Sequence, residues 1–539
     1  MTEEIDKKQQ IINAYLEVVK ETNRLPLRFD LVSKSITKDT INYHFNSLEK
    51  LHEYMQEEHL EEIEKSVLTD KTVFSKIRMG TLREDLKTYN KFVVTTVVTG
   101  KTVNKNFFDS LKFYCKKYNA CLLLIPCVDT MSMNAPPSSA RIWNFDPLLK
   151  EENFITEDVT LNDNLFISSI KLSAKQIKPT TGLNRIGQRN GSYIFASPKQ
   201  FLEYVVTSPE TGKLPHAIMT PGAITVSNYD TDRYMSERTS YIAENDHVIG
   251  AIVVEIEDEK LFHFRQIQAD EDGCFIDLGI KYSPDETTHP VKSSIVLGDW
   301  HVGHTDPIVK ETLKEIVDAV GCSRVFVHDF FDGTSISHHD LNFPLKLAKK
   351  AMKNKLSLEN ELIEGANEIN WLSDLFDEII MVKGNHDEFL DRYLVKGTYV
   401  QDPQNHYISL ILAKALLDGE DPLKVGYEMT GICKDFDKVE WLRRDEEYKI
   451  GGVELGQHGD LGLNGSRGSL MSMERSFGDC VVGHSHSAAI LRGVWRVGTS
   501  THLRLSYTVG PTSWTQTHCL VYENGSRQLI NIIKGNWTA

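Results

Sequence analysis

Five short apolar runs between residues 291 and 539 each end on side chains able to bind a metal, and this repetition constrains the fold more than any other feature. The run 293–297 leads into Gly298-Asp299-Trp300-His301. The run 324–327 leads into His328-Asp329-Phe330-Phe331-Asp332-Gly333, and 378–382 into Lys383-Gly384-Asn385-His386-Asp387. The run 452–455 precedes Gly456-Gln457-His458-Gly459-Asp460, and 480–482 precedes Gly483-His484-Ser485-His486. Short β-branched runs of this kind read as buried strands. Strands that carry Asp, Asn or His at their carboxyl ends bring those groups to one crevice at the edge of a sheet. The adjoining glycines let the backbone turn sharply there. Carboxylate with imidazole suits manganese, iron, zinc or magnesium, and the lack of nearby cysteine argues against a structural zinc site.

The order of the blocks (DxH, an Asp block, GNHD, GxH, GHxH) resembles that of the calcineurin-like metallophosphoesterases over residues 291–539. The resemblance implies an α/β fold whose C-terminal part is a β-sandwich flanked by helices. It also implies two divalent metal ions, manganese first, with iron, zinc or magnesium as alternatives. By the same resemblance Asp299, His301 and His486 would bind the first ion, and Asn385, His458 and His484 the second. Asp329 would bridge the two. His386 would not be a ligand but would contact the scissile phosphate and protonate the leaving oxygen, which makes His386 and Asp329 the catalytic pair to test. The nucleophile would be water, with no covalent intermediate. The second block departs from the family's Gly-Asp by carrying His328 before Asp329, and His328 reads as a buried strand-end residue. Asp332, Asp387 and Asp460 are expected to orient histidine ring nitrogens. His338-His339-Asp340 lies in a loop and reads as a surface or substrate-facing group.

Within the superfamily, the Asp299-Trp300-His301-Val302-Gly303 and GNHD blocks resemble most the double-strand-break-repair nucleases. The layout of the whole chain resembles the pre-early host-DNA-degrading proteins of T-odd coliphages. A phage-encoded deoxyribonuclease in the host bacterial cytoplasm is therefore the leading expectation, with DNA as partner and self-association as in the repair nucleases. Lys346, Lys349, Lys350 and Lys353 recur at helical spacing and could meet DNA phosphates. Four glycines in residues 459–468 suggest a backbone wrapped around a phosphate, helped by Arg467. A phosphatase or nucleotide phosphodiesterase with a small substrate remains an alternative, as does a DNA-binding regulator with an inactive metal domain. An accessory protein is not excluded.

The rest of the chain reads as two further domains. Residues 1–65 look helical, with Ile11, Ile12, Tyr15, Leu16, Val18 and Val19 at helical spacing and Thr37 placed to cap a later helix. The run 35–51 resembles a bacterial helix-turn-helix, in which Lys38, Thr40 and Asn42 would face DNA. A small bundle used for oligomerisation is the alternative. Residues 66–290 read as an α/β domain of unknown role, with a strand at 92–98, a helix at 107–118, a strand at 121–126 and later strands near 191–196, 223–226 and 248–256. The acid-free stretch 165–200 carries Lys171, Lys175, Lys178, Arg185, Arg189 and Lys199, a local basic surface in a chain of net charge -16. The charged N-terminus and the absence of a long apolar run point away from export and from a membrane. Eight cysteines without a CxxC pair read as small buried residues of a cytosolic protein.

Overall fold

The computed structural model describes residues 2–22, 26, 28–59, 62, 75–76, 85–128, 144–170, 172–206, 214–229, 237–288, 291–340, 343–505, 508 and 510–539. It is a mixed α/β protein with several sheets. The central six-stranded sheet contains β1 (Ser293–Val296), β2 (Cys322–His328), β3 (Glu378–Val382), β4 (Val439–Leu442), β5 (Thr517–Tyr522) and β6 (Arg527–Asn531), in the order β4-β3-β2-β1-β5-β6. Strands β1 to β4 run parallel, and β5 and β6 add on as an antiparallel pair.

Side chains on a strand alternate between faces, and this sheet uses both. Val296, Phe326, Ile380, Val382, Cys519 and Val521 point into one core. Their neighbours Ile295, Val325, Val327, Ile379, Met381 and Leu520 point into another, built with the helices Pro307–Val320 and Leu358–Ser373. Such runs are apolar throughout because both faces are covered, as parallel sheets require.

The first core is closed by a ten-stranded sheet. This sheet includes the parallel strands Val453–Glu454, Cys480–Val482 and Val494–Arg496. It continues through Ala489–Leu491 into Gln200–Val205 and His216–Pro221, with Ile490 opposite Leu202. The expected boundary near residue 290 therefore does not separate sheets, because strands from both sides hydrogen-bond into one ladder. A pairing across nearly three hundred residues leaves no trace in a local pattern.

Residues 66–290 also contribute the expected β-α-β unit. Lys91–Val98 and Cys121–Cys127 pair in parallel on either side of the helix Lys105–Tyr118, and Gly250–Ile256 and Phe262–Gln268 extend the sheet. The expected strand at 223–226 appears only as single bridges, Ala223 to Thr96 and to Ile249, and Thr225 to Val103. All eight cysteines are free thiols, and seven are buried. The N-terminal segment forms the helices Thr2–Thr22, Arg28–Ser33, Lys38–Phe45 and Leu48–Glu58 around Ile11, Tyr15, Leu31, Ile41 and Leu51. The Thr37 side chain accepts from the Thr40 amide and fixes where the third helix starts. Among the described residues no helix is long and apolar enough to cross a membrane.

The basic stretch 165–200 is not the surface its composition suggested. Lys175 and Lys199 are buried, Lys199 against Asp246 at 2.8 Å, and Lys178 pairs with Glu203 at 3.2 Å. Arg185 and Arg189 are exposed, and Lys171 lies outside the described residues.

A buried ionic knot joins the middle sheet to the central one. Arg265 meets both oxygens of Asp277 and sits 3.1 Å from Glu255, while Gln528 of β6 donates to Asp277 at 2.9 Å. Removing one partner of such a knot strands an uncompensated buried charge, which costs about 3–5 kcal/mol. Arg265→Met should lower the unfolding free energy measured by denaturant titration by an amount of that order, whereas the exposed Arg189→Met should leave it nearly unchanged.

Candidate metal centre

The carboxyl ends of parallel strands in both sheets open onto one pocket. Asp299 and His301 follow β1, Asp329 follows β2, and Asn385 and His386 follow β3. His458 follows Val453–Glu454 of the facing sheet, and His484 and His486 follow Cys480–Val482. Three sets of side chains, Asp299/His301/His486, His301/Asp329/His386 and Asp329/His458/His484, each bring ligand atoms within 4.8 Å of one another. Asp329 belongs to two of them.

The backbone is held in an unusual conformation to do this. His301, Asp329, His484 and His486 adopt left-handed φ values of 48°, 44°, 73° and 54°. Non-glycine residues seldom do so, and such positions cost about 1–3 kcal/mol each unless their surroundings enforce them. Two glycines give the carboxylates room. A Cβ on Gly384 would lie 1.8 Å from Asp329 Oδ1, and one on Gly483 would lie 2.2 Å from Asp299 Oδ1. Each of these two glycines thus faces another block's aspartate.

Backbone amides then aim the carboxylates. The His386 amide donates to Asp329 Oδ1 at 3.0 Å, and the His484 amide donates to Asp299 Oδ1 at 3.1 Å. The second oxygens point at imidazoles: Asp329 Oδ2 lies 3.0 Å from His458 Nε2, and Asp299 Oδ2 lies 3.1 Å from His486 Nε2. His301 Nε2 and His486 Nε2 face each other at 3.2 Å. Asn385 Oδ1 is 2.9 Å from His484 Nδ1.

Burial alone would raise the Asp329 carboxyl, yet His458 outweighs it and holds Asp329 well below the usual range. Asp299 is likewise held low by His458 and His486 against its burial. Burial would lower His458, but Asp329 and Asp299 push it up to about 9. Buried carboxylates at this density occur where they are paired or coordinate a cation. The donors are carboxylate, imidazole and amide with no thiol, and they fit a divalent cation.

The surrounding groups divide the labour differently from the sequence expectation. Asp332 does face histidines, lying 3.3 Å from His301 Nδ1 and 3.4 Å from His304 Nε2. Asp387 instead accepts from the Phe331 and Gly384 amides, both at 2.8 Å, and clamps two blocks together. Burial and then Asp329 push its carboxyl up to about 7. Asp460 is tied to Arg444, whose Nη1 lies 2.8 Å from Asp460 Oδ1 and 3.0 Å from the Lys383 carbonyl. A nearby arginine outcompetes a neutral imidazole for a carboxylate through two charge-assisted bonds. His328 is fully buried, neither ring nitrogen has a partner among the described residues, and burial lowers it to about 4.

Sequence reasoning missed Glu361, whose two oxygens accept from the Thr334 and Ser335 amides at 2.8 and 2.9 Å and so fix the loop after Asp332. It also missed Phe389, on which His386 stacks at 4.6 Å. Neither carries a block signature, although Phe389 follows GNHD by two positions.

The residues expected to contact DNA are dispersed. Lys346 and Lys350 both close on Asp340, at 2.9 and 2.6 Å. Lys349 is exposed on the same helix, Pro344–Met352, which buries none of its residues, and Lys353 is exposed at its C-terminal cap. Arg467 is exposed on the glycine-rich loop, which closes through a hydrogen bond that the Gly468 amide donates to the Asp460 carbonyl at 2.7 Å. Lys38 is exposed at the first turn of its N-terminal helix.

No family model matches the chain. The chain is similar to "Protein A1" of Escherichia phage T5, with 27% identity over 481 residues covering 84% of each protein.

The close approach at Gly384 makes a direct test of this geometry. Gly384→Ala must displace Asp329, and manganese affinity measured by calorimetry should fall by more than tenfold. Gly397→Ala, where a Cβ meets nothing within 4 Å, should keep it, although its left-handed φ of 64° will lower stability.

Proposed function

We propose that the chain is a metal-dependent phosphodiesterase that hydrolyses DNA. The observation that carries this reading is Asp329, whose two oxygens face opposite sides, one toward the His386 amide and the other toward His458. With Asp299, His301 and His486 on one side and Asn385, His458 and His484 on the other, these residues would hold two divalent cations, manganese foremost. This is the ligand order of the calcineurin-like metallophosphoesterases, and the two facing sheets agree with the sandwich of that family. Such a cation pair supplies Lewis acidity toward phosphoryl oxygens and a nucleophile at neutral pH.

The chain's own groups supply the rest. His386 Nδ1 lies 2.9 Å from the Asp332 carbonyl, which can only accept, so Nδ1 carries the proton in that bond. Nε2 is left to hold a proton for the departing oxygen. Phe389 beneath the ring and Asp332 beside it fix the orientation of His386. Exposed Lys349, Lys353, Arg467 and Lys38 are available to phosphates beyond the cleaved one. Similarity to a phage protein over most of the chain supports a phage-related role, and degradation of host DNA in the bacterial cytoplasm by a self-associating enzyme is the form of it we favour.

The test is digestion of circular and linear duplex DNA by the purified protein with manganese, beside Asp329→Asn and His386→Ala. Cleavage by the parent and a loss of at least a hundredfold in both variants is the expected result. Brisk turnover of a small phosphodiester with no cleavage of either DNA would instead favour a nucleotide phosphodiesterase.

A further inference from the structure

A continuous series of rings leads out of the metal centre to the surface. His301 and His386 lie 4.5 Å apart between centroids, His386 stacks on Phe389 at 4.6 Å, and Phe389 meets His338 at 5.1 Å and His339 at 5.9 Å. His338 and His339 pack on each other at 3.9 Å, and both are exposed. The inner rings are buried or half-buried, whereas this outer pair is exposed.

The pair also sits in a cationic setting. Arg392 lies over the Phe389 ring at 5.4 Å, and Arg392, Lys396 and His386 all act on His338 through their charge. Lys396 is exposed. The acids nearby are already engaged: Asp340 with Lys346 and Lys350, and Glu388 with Arg392 and Arg444. Burial first, and then His339, Arg392 and Lys396, lower His338 from the usual imidazole range.

Exposed rings beside an exposed cation are what a single strand of nucleic acid needs, because bases stack on rings while the backbone follows the charges. Each strand of a duplex carries a phosphate about every 3.4 Å of axis, a lower bound for an unpaired strand. Two ring-to-ring steps of 4.6 and 5.1 Å separate His386 from His338, which places the pair within about three nucleotides of the reacting phosphate. We propose that His338 and His339 form a base-stacking subsite for an unpaired DNA strand, with the exposed Lys396 receiving a neighbouring phosphate. This rests on the nuclease reading above and deepens it: the substrate is engaged as a locally single-stranded segment on the Phe389 side of the centre. The apolar face of His338 and His339 selects for bases rather than for a phosphate alone, and a small diester is too short to reach them.

The experiment compares the full chain with His338→Ala/His339→Ala and His338→Phe/His339→Phe. Each is assayed with manganese on a labelled single-stranded oligodeoxynucleotide and on bis-p-nitrophenyl phosphate. The alanine pair should raise KM for the oligonucleotide about tenfold, equivalent to about 1.4 kcal/mol. It should change turnover of the small diester less than twofold. The phenylalanine pair, which keeps the rings, should recover most of the loss. Unchanged oligonucleotide KM in the alanine pair overturns the subsite, and so does an equal fall on both substrates. A parent protein that turns over the small diester but cleaves no DNA is a separate result, and it overturns the nuclease reading together with the subsite.

Discussion

Two buried aspartates facing a ring of histidines are the constraint on which the rest of this structure depends. Asp299 and Asp329 are each held by one backbone amide and one imidazole, and each occupies space that a glycine of another block leaves open. Charges this deep are expensive without compensation. The sheet edge, the left-handed turns and the clamps from Asp387 and Glu361 make sense as the structure needed to hold those carboxylates still. The strain at His301, Asp329, His484 and His486 is sustained because two packed sheets determine the path of the backbone on either side.

The surrounding architecture is arranged around that edge. Strands β1 to β3 deliver one half of the centre and the facing sheet delivers the other, so neither sheet alone forms the pocket. The ten-stranded sheet is extended by Gln200–Val205 and its neighbours, which makes the middle segment part of the scaffold behind the site. The knot at Arg265 and Asp277 reaches β6 through Gln528 and ties the middle sheet to the same framework.

Much of the centre was legible in the sequence because it is written locally. An apolar run followed at once by ligand-type residues, with a glycine before them in four of the five blocks, is a local signal, and five such runs in order identify the site. The helix after Thr37 and the unit from 91 to 127 were legible for the same reason. What was hidden is set by distant partners. No local signal pairs Leu202 with Ile490, sends Lys199 inward to Asp246, or gives Asp460 to Arg444 instead of a histidine. Four lysines at helical spacing suggested a single basic face, yet Asp340, outside the helix, takes two of them.

The most direct test of the central claim is anomalous diffraction from crystals grown with manganese. The account predicts two peaks flanking the Asp329 carboxylate, one among Asp299, His301 and His486 and the other among Asn385, His458 and His484. A single peak remote from Asp329, or no peak in the pocket at saturating manganese, would contradict it.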